Sequence, residues 1–119
     1  MRENILLSKT FAFAIRVVNL CRYLREHRSE YVLSKQLLRC GTSIGANAEE
    51  ANSGQSKKDF ISKLQISLKE AKETRYWLRL LKETDYLTTA EFESMHQDVN
   101  EILQLLTSIL KTAKQEVKE

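Results

Sequence analysis

The chain of 119 residues has no proline, three glycines, two cysteines and two histidines. Without proline nothing obliges a helix to stop or kink, so long uninterrupted helices are favoured. Three glycines are too few for the turns of a β-rich chain. Two cysteines cannot form a disulfide scaffold. Cys21 and Cys40 lie far apart with no Cys-x-x-Cys or His-x-His nearby, and both fall at helix-core spacing, where a free thiol behaves as a small apolar group. No apolar run approaches the roughly 20 residues of a bilayer span, and no membrane association is expected. Met1-Arg2-Glu3-Asn4 leads into an amphipathic run carrying Lys9 and Arg16, with no small-residue cleavage site, so a secretory leader is not expected and a cytosolic location is.

Hydrophobic residues make up 42% of the chain and charged residues 29%, and Leu, Ile, Val and Phe recur too regularly for a disordered chain. The length fits a single domain over residues 1–119 with one core. The periodicity predicts four helices, at about 5–27, 30–52, 57–84 and 89–116. In the first, Leu7, Phe11, Ala14, Val18 and Cys21 share a face, with Arg2, Lys9 and Arg16 opposite. Arg25, His27 and Arg28 put cations at its end, and Ser29 is the expected N-cap of the next helix. In the second, Leu33, Leu37, Cys40, Ile44, Asn47 and Ala51 keep the core spacing, which sets an amide at an apolar position. Gly41 and Gly45 each weaken that helix by about 1 kcal/mol relative to alanine, and a close approach of another helix backbone is the simplest compensation. The competing reading is a loop over 41–45.

Asn52-Ser53-Gly54-Gln55 is the clearest break, with Gly54 expected in a left-handed conformation. Ser56 and Asp59 predict a cap on the third helix. Thr88 and Glu91 predict another on the fourth, with a Leu87–Phe92 staple. Phe60, Leu64, Ser67, Ala71, Thr74, Leu78 and Leu81 form one stripe of the third helix; Ile66, Glu70, Glu73, Trp77 and Leu80 form a second, which predicts an oligomer interface. The fourth helix has the most regular heptad: Phe92, Met95, Val99, Ile102, Leu106, Ile109 and Ala113. Short connections between four long helices predict an all-α, antiparallel up-down-up-down four-helix bundle.

The net charge of +3 conceals segregation: residues 1–28 carry +4, 29–55 carry −1, 56–84 carry +4 and 85–119 carry −4. Lys72, Arg75, Arg79 and Lys82 share a face of the third helix, a stripe suited to tracking phosphates. A solvated face with pairs such as Lys69–Glu73, or pairing of helix three with the acidic helix four, explains the same charges.

No catalytic or metal constellation is evident. Glu93-Ser-Met-His96 fits Glu-x-x-His, but a di-iron bundle needs a second such motif, and Leu24 precedes His27 at that spacing. Cys40 and Ser43 have no evident histidine partner. Gln36, Arg39, Ser43, Asn47 and Glu50 lie along one side of helix two; a buried network fixing register accounts for them better than a ligand site or an enzyme.

The run Gln36-Leu37-Leu38-Arg39-Cys40-Gly41-Thr42-Ser43-Ile44-Gly45-Ala46-Asn47-Ala48-Glu49-Glu50-Ala51 resembles the signature of bacterial four-helix-bundle proteins encoded in intervening sequences of large-subunit ribosomal RNA genes. Ser56 to Lys63 and Lys69 to Leu78 are similar to that family's third helix, and Phe11-Ala12 and Leu80-Leu81 also fit. Cys40 departs from the usual Ser or Ala, and Ala48 from a larger residue. The resemblance implies a ring-forming homo-oligomer, a pentamer, with no catalytic residues and no cofactor. It extends in fold to the accessory variability protein of diversity-generating retroelements, which binds nucleic acid through a basic surface. A non-enzymatic bundle binding RNA or DNA is therefore expected, with Lys9, Arg16, Lys72, Arg75, Arg79 and Lys82 as contacts. A protein–protein adaptor using Ile66, Trp77 and Leu80 is the alternative.

Overall fold

A computed structural model describes residues 2–118, in which four helices follow one another: α1 (Arg2–Arg28), α2 (Leu33–Asn52), α3 (Lys57–Glu83) and α4 (Thr89–Lys118). Each helix packs against its two neighbours in the order α1–α2–α3–α4–α1, so the chain forms an up-down-up-down bundle of 51 × 22 × 20 Å. The backbones run closest along the α2–α3 seam and are most open between α1 and α4.

Helices α3 and α4 bury the faces their periodicity predicts. Leu64, Ser67, Ala71, Thr74, Leu78 and Leu81 from α3 meet Met95, Val99, Ile102, Leu106, Ile109 and Ala113 from α4. Helix α1 differs. Its buried face is Leu6, Thr10, Phe13, Val17, Cys21 and Leu24, rotated by about one residue from the expected stripe. Phe11 is 64% exposed. The reason lies in the sequence: α1 is apolar on nearly every side, so periodicity fits several faces, and packing against α2 and α4 chooses among them. An 18-residue window of α1 has a mean hydropathy of 1.3, enough for a membrane span by length and composition, contrary to the sequence expectation. In the bundle one face of this helix is core, and Arg2, Lys9 and Arg16 bond to α4.

Helix α2 runs unbroken through Gly41 and Gly45. A Cβ on Gly41 would lie 2.8 and 2.9 Å from the two methyl groups of Val17, and one on Gly45 would lie 3.3 Å from Thr10 Cβ. The glycines let α1 come close, which offsets their low helix propensity. Across the opposite seam, Ser67 Oγ donates to the carbonyl of Ile44 at 2.8 Å and ties α3 to α2. Asn47 is only half-buried, and its amide bonds back to the Ser43 carbonyl, so it stands at the edge of the core.

The turns also depart from expectation. No glycine has a positive φ; the left-handed residues are Ser29 (φ 53°) and Asp85 (φ 67°). Gly54 is instead confined by contacts, since a Cβ there would sit 3.2 Å from the Ala51 carbonyl oxygen. Asp85 closes α3 in a Schellman arrangement, its N–H donating to Lys82 and that of Tyr86 to Leu81. Ser29 does not cap α2. It reverses the chain, and Glu30 caps instead: its carboxylate accepts from the N–H groups of Val32, Leu33 and Ser34 at 2.7–3.2 Å. Burial pushes the Glu30 carboxyl upward, but these bonds outweigh it and hold the group below its ordinary value. The caps at Ser56 and Thr88 form as predicted, and the one at Thr88 is reciprocal with Glu91.

Candidate nucleic-acid interface

The fold separates the basic residues into two groups. On α1, Lys9 bonds to Glu101 at 3.1 Å, Arg16 reaches Asp98 and the Ser94 hydroxyl, and Arg2 reaches Ser108 and Thr112. The Lys9 hydrogen bond, with help from Gln97, holds the Glu101 carboxyl below its ordinary value. The anionic helix α4 therefore spends two of its carboxylates on α1, across the most open seam. The sequence offers pairing of α4 with helix three as one reading of the charges. There α3 contributes Lys57 to Glu116, while Lys63 turns to Glu50 on α2.

On α3 the stripe from Lys72 to Lys82 lines the groove shared with α4. Among the described residues, Lys72, Arg75 and Arg79 pair with no carboxylate, and Lys82 lies 3.9 Å from its neighbour Glu83. Arg75 donates to Asn100 Oδ1 at 3.2 Å, and the Asn100 amide lies 3.2 Å from His96 Nδ1. Partial burial, then the cations Arg75 and Arg79, hold His96 below its ordinary pKa and favour the neutral ring. At one end of the groove Tyr76, Arg79, Leu80, Lys82, Phe92 and His96, with the carboxylate Glu83 at its edge, surround a cleft of about 460 Å³. Towards the other end Lys72 and Arg75 face Gln104, Thr107, Ser108 and Lys111. Asn100, Gln104 and Lys111 were not singled out in the sequence, and His96 was weighed only as part of a metal motif, because only the antiparallel register of α3 and α4 sets them opposite the stripe.

Two groups that the sequence kept apart come together on the α2–α3 seam. Arg39 forks to Glu70 and Glu73, with the Glu70 bond at 3.1 Å, and Trp77 Nε1 donates to Glu73 at 3.0 Å. Members of the helix-two polar set and of the second α3 stripe thus satisfy each other. Ser43 bonds to the Arg39 carbonyl and Glu50 pairs with Lys63, whereas Gln36 is half-buried without joining this network. No buried side-chain polar atom among the described residues lacks a partner, and no cluster of His, Cys, Asp or Glu is arranged to hold a metal. Burial pushes the Cys21 and Cys40 thiols up to about 12 and about 11, so neither is poised as a nucleophile.

Residues 2–108 match the family model of the 23S rRNA-intervening sequence protein. The chain belongs to that family. The crystal structure of a protein of unknown function from the S23 ribosomal protein family of Bacteroides thetaiotaomicron superposes with a TM-score of 0.92 at 52% identity, covering 93% of this chain and 99% of that one. Membership thus rests on both sequence and fold. No protein of curated function matches. Family and neighbour carry no assigned reaction, and the family's name alone points to ribosomal RNA.

Proposed function

We propose that this member of the 23S rRNA-intervening sequence family is a non-enzymatic, self-associating bundle that binds nucleic acid through the α3–α4 groove. The observation that carries the reading is the charge left over after internal pairing. On α1, Lys9 and Arg16 are paired with α4 carboxylates, while on α3 Lys72, Arg75 and Arg79 lie along one groove without carboxylate partners. Lys9 and Arg16, although part of the same sequence expectation, are engaged by Glu101 and Asp98 and contribute little to this surface. Phosphate contacts release counterions, so affinity should fall linearly in log–log form with salt, by about 0.7 to 0.9 per contact. Fluorescence anisotropy with labelled RNA across a salt series tests this. A Lys72→Glu/Arg79→Glu variant should bind more weakly and with a shallower slope. Absence of binding at low salt, or a flat salt response, overturns the reading.

Self-association is supported by exposed apolar side chains on two unlike faces. Ile5, Phe11 and Ile15 are exposed on α1, and Ile66 is exposed on α3. Unlike faces pair head to tail, which closes into a ring when the rotation permits, and the family resemblance implies five copies. Phe11→Glu should then give monomers by light scattering; an unchanged mass removes this interface. The adaptor reading is less favoured, because Trp77 is half-buried with its N–H committed to Glu73.

A further inference from the structure

The α3–α4 groove is more than a row of charges. Its α4-proximal cleft carries aromatic rings at the same place as the cations. Tyr76 is 53% exposed and meets Trp77 edge-on at 5.1 Å, so its ring remains accessible. On the facing helix His96 stacks on Phe92 at 4.8 Å, and Lys82 lies over the Phe92 ring at 5.2 Å. Arg79 and Lys82 line the cleft with these rings and outnumber its one carboxylate, Glu83, while Lys72, Arg75 and Lys111 extend the positive edge towards the far end of the groove. From Phe92 to Lys111 the groove runs about 28 Å, from 19 residues at 1.5 Å each.

We infer that this groove takes single-stranded RNA, with one unpaired base stacked against Tyr76 in the cleft and the following phosphates lying along Arg79, Arg75 and Lys72. The inference rests on the proposed nucleic-acid reading and adds the form of the strand. A duplex keeps its base faces covered, so it has no use for an open tyrosine ring. Side chains in a cationic groove, interleaved with aromatic platforms, are how proteins hold unpaired strands with little sequence preference. The length suits a short segment, on the order of 4 nucleotides or somewhat more. Asn100 and Gln104, between the cations, supply neutral hydrogen-bonding groups.

The test compares a labelled 12-nucleotide RNA as a single strand and as a blunt duplex, with the wild type and with Tyr76→Ala, Tyr76→Phe and Lys72→Ala. The single strand should bind more tightly than the duplex. Tyr76→Ala should weaken single-strand binding by about 5- to 150-fold, the range for loss of one stacked base, and leave the salt slope unchanged. Tyr76→Phe, which keeps the ring, should bind like the wild type. Lys72→Ala should lower the slope by about 0.7. A 4-thiouridine crosslink should map to the peptide around Tyr76 or to the one around His96. Salt-dependent binding that is equal for both forms, unaffected by Tyr76→Ala, or crosslinked elsewhere overturns this inference but leaves the broader reading standing. No binding of either form overturns both.

Discussion

Replacing Gly41 by alanine sets two opposing effects against each other at one atom. Alanine favours the helix over glycine by about 1 kcal/mol, and at an exposed site that gain would appear as added stability. At Gly41 the new methyl group would meet Val17 Cγ1 at 2.8 Å and Cγ2 at 2.9 Å, roughly an ångström inside normal contact. Val17 is fully buried and β-branched, so it has no flexible end to swing aside. Overpacking of this kind costs about 2–3 kcal/mol, towards the upper part of the usual range. The net expectation is a loss of about 1–2 kcal/mol, or about 4–8 °C in Tm for a chain of this size. Urea and thermal unfolding followed by circular dichroism measure it, at one fixed protein concentration because self-association shifts Tm. Gly45→Ala is the internal control: its nearest neighbour, Thr10 Cβ, stands at 3.3 Å, so a small adjustment suffices and the change should stay within about 1 kcal/mol. Val17→Ala combined with Gly41→Ala should recover part of the loss, with a favourable coupling energy of about 1 kcal/mol or more. A Gly41→Ala protein more stable than the wild type would refute the close-approach account.

Glu30→Gln should destabilise the bundle by about 1–2 kcal/mol near neutral pH, since a neutral amide accepts more weakly from three backbone N–H groups. The sign of its pH dependence follows from the lowered carboxyl. Its contribution is fully present above the ordinary value of 4.5 and is lost as pH falls through the folded value, so wild type and variant should converge in acid. Unfolding curves between pH 7 and 3 read this directly; a gap that widens in acid would contradict it. Both thiols should resist alkylation at pH 8 in the native protein and react once it is unfolded, because burial holds them at about 12 and about 11. Rapid native labelling of either one would show a looser core than the contacts describe.

The sequence determined α3 and α4 almost completely. On α4 one apolar stripe at the helical period leaves a single rotation that buries it, and on α3 the more continuous of two stripes is the one that is buried. The caps at Ser56 and Thr88 were legible too, because a cap is a local event within four residues. The family signature over residues 36–51 was also readable without any structure. Tertiary structure decided the rest wherever the sequence offered more than one equivalent choice. Helix α1, apolar nearly all round, exposes Phe11 and buries Phe13 because its neighbours select that face. Ser29 and Asp85 take left-handed turns while Gly54 does not, because the geometry of each reversal sets φ more strongly than composition does. Charge is the clearest case. Segment totals showed which helices were cationic, but a salt bridge depends on distance through space. Only the assembled bundle places Lys9 and Arg16 against α4 and leaves the Lys72–Lys82 stripe facing an open groove.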